Sequence, residues 1–398
     1  MNDTNQQRPK VALVHDFLTY WGGAEQVLLS LHRLYPEAPI YTLLFDEKMR
    51  AYFPDARIRT SFLDRLPGFL RRRKRLLLPL MPTATENFDL GAFDLVISSS
   101  SSFAKGVIVK PRTLHIDYCH TPTRFLWDWY YEYLEENRLR GVKKMLAVGL
   151  LHLLRLWDRS AAERVDRFVA NSECTAGRIR KYYRADSRVI YPPVDVEKLT
   201  GLGKDFVPEE KDYYLIVSRL SPYKKIDTAV TALGKMHLPL LVIGEGSDRQ
   251  RLEKMAPDNV RFLGFQNETR LAAYYRHARA LIFPGEDDFG ITILEAMAFG
   301  KPVLAFGRGG ALETVQPGVN GELFDSQVPE ILADGIRRLN KNYAAYDPEK
   351  IKLAAERFSR ERFEREMRAF IESACAQAQD RAGSELIKTG EYAKFSID

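Results

Sequence analysis

The sequence predicts an α/β protein of two domains, each a parallel β-sheet flanked by helices. Three observations carry this. Short apolar runs rich in branched residues alternate with helical stretches in both halves of the chain, the pattern of βαβ units. The rhythm breaks once, over YPPVDVEKLTGLGKDFVPEEKD at 191–212, a stretch of Pro, Gly and charge that reads as a linker. The chain has 398 residues, which at roughly 100–200 residues per domain makes two or three domains.

The elements follow in order. Lys10–Val14 is a short apolar strand, HDFLTYWGGAE a Gly-bearing loop and QVLLSLHRLYP a helical pattern. Further strand-like runs are Ile40–Phe45, Leu95–Ser98, Leu114–Tyr118 and Arg167–Ala170. After the linker come a strand at Tyr213–Ser218, a helix at Asp227–Lys235 and a strand at Leu240–Ile243 that runs into GEGSD. Val260–Leu263, a helix at Glu268–Arg276, the strand Ala280–Phe283, a helix from about Ile293 and the strand Pro302–Ala305 complete the second half. The domains are expected at 1–193 and 194–356, with a C-terminal helix over about 357–378 and a polar tail at 379–398. Ligands of such sheets bind beyond the carboxyl ends of the strands, and both edges are expected to face one central cleft.

Hydrophobic residues make up 45% and charged residues 28%, as in soluble globular proteins, and the net charge is +6. That modest excess suits an anionic partner (a nucleotide, a phospholipid headgroup, nucleic acid) and equally an ordinary basic enzyme. Cys119, Cys174 and Cys375 are odd in number, far apart and without metal-ligand spacing. A reduced protein with no disulfide framework and no zinc site is expected. The opening MNDTNQQRPK has no apolar core of a signal peptide. Met145–Trp157 is interrupted by His152 and Arg155 and falls short of the ~20 apolar residues that span a bilayer. The expected location is cytoplasmic or peripheral on the inner face of the cytoplasmic membrane.

Five segments carry chemistry. GEDDFGITILEAMAFGKPV, Gly285–Val303, follows the buried strand ALIFP. Backbone N–H groups at Gly290, Ile291 and Thr292, with a helix N-terminus behind them, form an anion site suited to a diphosphate. Glu295, placed in the first helical turn, reaches a ribose hydroxyl pair. Acids also collect at helix N-termini for dipole reasons alone. SRLSPYKK, Ser218–Lys225, sets Arg219 and Lys224 at a strand's carboxyl end, where they neutralise a leaving diphosphate; the bland alternative is a solvated basic turn. WGGAE, Trp21–Glu25, lets the backbone approach a ligand at Gly22 and Gly23 or is an ordinary turn. It is neither GxGxxG nor GxxxxGK[ST], so dinucleotide and P-loop fingerprints are missing.

IDYCHTPTRFLWD, Ile116–Asp128, places His120 at a strand end, as a hydrogen-bond donor to a sugar hydroxyl, a participant in proton movement, or a structural histidine. RLPGFLRRRKRLLLPLMP, Arg65–Pro82, carries five consecutive cations, Arg71, Arg72, Arg73, Lys74 and Arg75, between apolar runs. It is a candidate for an anionic membrane surface, against a solvated charge run or a nucleic-acid patch; nucleic acid is not the expected partner.

Together HDFLTYWGGAEQVL, YCHTPTRFLWD, VANSECTAGRI, IYPPVD, SRLSPYKKID, GEGSD and GEDDFGITILEAMAFGKPVLAFGRGGALETV resemble, in order, the family 4 retaining glycosyltransferases of GT-B fold. The likeness spans about residues 10–375 and points to the bacterial mannosyltransferases of O-antigen and capsule assembly. The family's hallmark is two glutamates with seven residues between them; here the second is Glu295, and at the first position, eight earlier, stands Asp287 in place of Glu, with Glu286 beside it. The resemblance implies two Rossmann-like domains, the first acceptor-binding and the second nucleotide-sugar-binding, with the C-terminal helix crossing back to the first. It implies Asp287 or Glu286 on the donor sugar, Glu295 on the ribose, Arg219 and Lys224 on the diphosphate, and Phe289, Gly290, Ile291 and Thr292 around the donor. His120 would lie near the sugar, Gly22 and Gly23 would leave room for phosphate and acceptor, and Gly244 and Phe265 would line the base pocket. The implied donor is a nucleotide sugar, GDP-mannose first, the acceptor a lipid-linked or free saccharide, and no metal or other cofactor is expected. The competing readings are another GT-B enzyme, such as a sugar-nucleotide epimerase or phosphorylase, and a non-catalytic nucleotide-sugar-binding scaffold.

Overall fold

The computed structural model describes residues 9–71, 73–136 and 139–392, with side chains through 380. It divides into two compact units. The first holds the described chain up to Asn171, Thr175–Ile190 and the segment from Phe363 onward; the second holds Ser172–Cys174 and Tyr191–Arg362.

In the first unit seven strands form one parallel sheet: β1 (Val11–Leu18), β2 (Ile40–Phe45), β3 (Ile58–Thr60), β4 (Leu95–Ser100), β5 (Leu114–Cys119), β6 (Arg167–Ala170) and β7 (Ser187–Val189), in the order β3-β2-β1-β4-β5-β6-β7. In the second, six strands do the same: β8 (Tyr214–Val217), β9 (Leu240–Ile243), β10 (Val260–Gly264), β11 (Ala280–Phe283), β12 (Val303–Phe306) and β13 (Gly321–Phe324), in the order β10-β9-β8-β11-β12-β13. The central strands YLIV, LLVI, ALIF and VLAF are apolar and almost wholly buried because helices cover both faces of a parallel sheet. Both units are therefore α/β and Rossmann-like.

The C-terminal helix runs Arg360–Tyr392, beyond the 357–378 expected, through part of the stretch read as a polar tail. No proline follows Pro348 to stop it. Phe363, Met367, Ile371 and Ala374 recur at helical spacing and are buried in the first unit's core with Leu13, Leu28 and Tyr118.

Candidate functional site

In the second unit the strand order reverses between β8 and β11. Such a switch point leaves a crevice beyond the carboxyl ends, because the crossovers on its two sides run in opposite directions. The loops leaving β8 and β11 are SRLSPYKK and PGEDDFG. They lie against each other: a Cβ on Gly285 would sit 2.9 Å from Lys224 Cα. Lys224 Nζ forms an ion pair with both carboxylate oxygens of Asp287, and both side chains are largely buried. The loop after β12, GRGG, closes on the same place. Gly310 N donates to Asp287 O at 2.9 Å, and Cβ atoms on Gly309 and Gly310 would fall 2.1 Å from Asp287 O and 2.2 Å from Phe289 Cα. Three strand-end loops are thus nested with their backbones in contact.

Gly290 takes φ 88° as the cap of the helix Ile291–Ala298, so the helix starts at once. The sequence placed its start about three residues later, with Glu295 in the first turn; a left-handed glycine cap removes that gap, and Glu295 stands one turn in. Its carboxylate is buried and accepts a hydrogen bond from Tyr275 Oη at 2.8 Å. Burial, then the Glu295 charge, pushes the Tyr275 hydroxyl well above its ordinary pKa, so it remains a donor. The N–H groups of a helix's first turn lack intrahelical partners and point out of its N-terminus, here at Ile291 and Thr292, both half-buried. Arg219 is exposed just past β8. The β9 loop backs it: Gly244, at φ 132°, would place a Cβ 2.0 Å from Ser218 O, and Gly246 one 2.0 Å from Leu220 O. Gly244 N donates to Gly264 O at 2.9 Å, next to Phe265, a residue 68% exposed.

Phe289 is buried between Tyr191 and Phe358, with ring centroids 5.6 Å from each, so its ring braces the loop from within the unit's core. Glu286 and Asp287 are both half-buried, and Asp287 is engaged by Lys224.

In the first unit the order reverses between β1 and β4. The Asp16 carboxylate, at the end of β1, accepts the backbone N–H groups of Ser101, Ser102, Phe103 and Ala104 at 2.6–2.9 Å. Beside it runs a buried chain: Glu25 Oε1 lies 3.4 Å from His15 Nε2, His15 Nδ1 lies 3.1 Å from Ser99 Oγ, and Ser99 Oγ lies 2.8 Å from His120 Nε2. Gly22 caps the helix Gly23–Leu34, and a Cβ there would come 3.2 Å from Glu25 Oε2. His15, Asp16 and Ser99 are the residues that sequence reasoning missed. Their signals were the HD pair that follows the apolar run of the first strand and the run of five serines at 98–102.

Burial, helped by His15, lowers His120 to about 3. Its ring is uncharged at neutral pH and hydrogen-bonded through Nε2 to Ser99. Burial also lowers His115 to about 4 and raises Asp117, bonded to Ser98 and Ser100, to about 7. Between about pH 6.5 and 4 the unfolded chain binds two protons on these histidines that the folded chain refuses, while folded Asp117 keeps one that the unfolded chain releases. The three groups together therefore make stability fall by about 1.4 kcal/mol for each pH unit of acidification in that window. Asp117→Asn removes the opposing proton and should steepen their slope to about 2.7 kcal/mol per unit, read from urea denaturation across the window; an unchanged slope would refute the assignment.

The basic run is not one solvated strip. Arg71 pairs with Asp64 at 3.2 Å. Lys74 donates to Thr19 Oγ1 at 2.8 Å and lies over the Phe17 ring. Arg73 and Arg75 are exposed, and Arg72 lies outside the described residues. Among the described residues no three His, Cys, Asp or Glu side chains are grouped to hold a metal ion, and no helix is long and apolar enough to cross a membrane.

Comparison with known proteins agrees with this architecture. A D-inositol 3-phosphate glycosyltransferase of Geodermatophilus obscurus is 30% identical over 209 residues, covering 45% of this chain and 46% of that protein. A GDP-mannose-dependent alpha-mannosyltransferase of Mycolicibacterium smegmatis is 32% identical over 176 residues, 42% of this chain and 47% of that one. The chain thus spans about half the length of the curated relatives it matches. The crystal structure of Anabaena HepE in complex with UDP and glucose superposes with a TM-score of 0.67 at 19% identity, over 92% of this chain and 100% of that one. Residues 21–198 match the family described as Glycosyltransferase Family 4, and residues 203–358 match Glycosyl transferases group 1. The chain thus has two Rossmann-like units of GT-B fold, and it matches Glycosyltransferase Family 4 in its first half and the group 1 glycosyl transferases in its second.

Proposed function

We propose that this protein transfers a hexose, mannose first, from a nucleotide diphosphate sugar to a saccharide acceptor, lipid-linked in surface-polysaccharide synthesis, with retention at the anomeric carbon. The observation that carries the reading is the nesting of the Arg219–Lys224 loop, the Asp287 loop and the Gly290-capped helix at one switch point. Two cations and a helix N-terminus there suit a pyrophosphate. The Arg219 guanidinium and the Lys224 ammonium bind it, and N–H groups at Ile291 and Thr292 complete its cradle. Glu295, oriented by Tyr275, accepts from the ribose hydroxyls. Phe265 stacks on the base beside Gly244. The Asp287 carboxylate, steadied by Lys224, meets sugar hydroxyls, with Glu286 adjacent. GDP-mannose is preferred because one relative is named for it.

In the reaction the bond from the anomeric carbon to the β-phosphate oxygen breaks and a bond to the acceptor oxygen forms on the same face. The acceptor's proton passes to the departing phosphate oxygen. Charge grows on that oxygen, and preorganised cations lower the barrier by meeting it. In the first unit, Gly22 and Gly23 leave room for phosphate and acceptor, the neutral His120 meets the sugar, and Arg73 and Arg75 face an anionic lipid surface.

A thermal-shift panel of nucleotide sugars tests the donor site. At a hundredfold excess over Kd a ligand adds about 2.7 kcal/mol to stability, worth roughly 5–10 °C for a domain of this size. GDP-mannose should give the largest shift, and Glu295→Ala should remove most of it, measured against that variant's own ligand-free melting temperature, which falls because the buried Tyr275 hydroxyl loses its acceptor. A panel in which no nucleotide sugar raises Tm would refute the reading.

A further inference from the structure

The helix Gly141–Glu163 of the first unit turns an apolar face to solvent. Val142, Met145, Leu146, Leu153 and Leu156 are exposed, Met145 and Leu146 by 66% each. At 3.6 residues per turn they fall, with Gly149, within an arc of about 100°. The opposite side, Leu151, Leu154, Asp158 and Ala161, is buried in the unit's core. So the helix carries two apolar stripes, and its own fold covers one. A contiguous exposed stripe of this kind marks an interaction surface, since a monomer gains nothing by wetting it.

The charges around it select the occupant. No carboxylate occurs between Arg140 and Trp157, a span that includes the exposed Lys143 and Lys144. None occurs between Arg65 and Leu80, where Phe69, Leu76, Arg73 and Arg75 are exposed. The two segments share one foundation: Leu77 and Leu78 of one and Ala147, Leu150 and Leu151 of the other belong to the same hydrophobic cluster. The nearby acids Glu132, Glu135 and Glu136 lie on a separate helix, Tyr130–Glu136. Cations beside exposed leucines complement a surface that is anionic outside and apolar beneath. A second copy across a two-fold axis would instead set Lys143 and Lys144 against themselves.

We propose that the outer face of Gly141–Glu163 lies in the interface of an anionic bilayer, with Met145, Leu146, Leu153 and Leu156 entering the acyl boundary and Lys143, Lys144, Arg73 and Arg75 at the headgroups. This deepens the lipid-linked-acceptor part of the proposed function and rests on that reading for its purpose. Binding is measured without donor, so its failure is separate from a failure of the nucleotide-sugar site.

The test is co-flotation of the full chain with phosphatidylcholine vesicles containing about one-third phosphatidylglycerol. The native chain should float, and part of the binding should survive about 1 M salt, where the Debye length is only ~3 Å. Replacing Met145, Leu146, Leu153 and Leu156 by Ser should cut binding at least tenfold at both salt levels while the melting temperature and the nucleotide-sugar shift stay in place. Arg73→Ser with Arg75→Ser should cost only the salt-sensitive part. An environment-sensitive dye on Leu153→Cys should shift to the blue on vesicles. The proposal falls if the native chain does not float, if the serine variant floats as well as native, or if the serine changes turn a dimer into a monomer without altering flotation, which would assign the face to a second copy.

Discussion

Arg219→Ala and Lys224→Ala are each expected to lower kcat/KM for sugar transfer by about 10²–10³-fold, the usual cost of removing one preorganised donor from a developing anion. The two should differ in form. Arg219 is exposed past β8, and its loop is backed by the contacts of Gly244 and Gly246, so its loss leaves the fold and Tm unchanged. Lys224 is also the partner of Asp287. Removing it leaves a half-buried carboxylate facing the place assigned to a pyrophosphate, which adds repulsion to the lost attraction. Lys224→Ala should therefore weaken donor binding more than Arg219→Ala does, and Lys224→Ala with Asp287→Asn should recover part of that loss. Single-turnover transfer and donor titration on all four proteins read both quantities. Near-native transfer by both single variants would reject the roles assigned to them, and a double variant no better than Lys224→Ala would reject the coupling.

The largest effect on stability is expected from Asp158→Ala. Asp158 and Lys105 are fully buried and 2.6 Å apart. The same carboxylate also accepts from Thr123 Oγ1 at 2.6 Å, Trp127 Nε1 at 2.7 Å and Tyr183 Oη at 2.9 Å. Burial pulls the Lys105 pKa down, but the Asp158 charge and hydrogen bond more than restore it, so the ammonium stays charged. Without Asp158 the buried ammonium keeps only neutral acceptors, Ser102 O and Thr123 Oγ1, and the Trp127 and Tyr183 donors lose the carboxylate. Breaking a buried pair from one side costs about 3–5 kcal/mol, a large share of the ~5–15 kcal/mol that holds a domain folded. Adding Lys105→Met should return much of the loss, because the stranded charge is the main penalty. Denaturant unfolding measures this. Equal losses in the single and double variants would show that the pair is not coupled.

The location of the candidate donor site was legible in the sequence. SRLSPYKK, GEGSD and GEDDFG each follow an apolar run, and a strand-end loop in a parallel sheet lies on the ligand-binding edge whatever the remaining details. The internal layout was not. Phe289 sits in the most motif-like stretch of the chain yet packs inward on Tyr191 and Phe358, elements about a hundred and seventy residues apart. The Lys224–Asp287 pair joins positions 63 apart, and the Asp16 contacts to Ser101–Ala104 span 85 to 88. Five cations in a row looked like one patch; Arg71 and Lys74 turned out to have partners at Asp64 and Thr19. In the helix Gly141–Glu163 apolar residues occupy two faces, and composition does not say which is inside.

By itself the sequence determined what is set by near neighbours: which runs are apolar enough to be buried strands, where the chain turns at glycine and proline, and which polar residues stand at strand ends. Tertiary structure alone decided which loops meet, because strand order assigns them neighbours: β8 lies beside β11 and β1 beside β4 across long crossovers. It also decided the ionisation of His120 and Asp117, since burial and local partners, not residue type, govern the cost of carrying a charge.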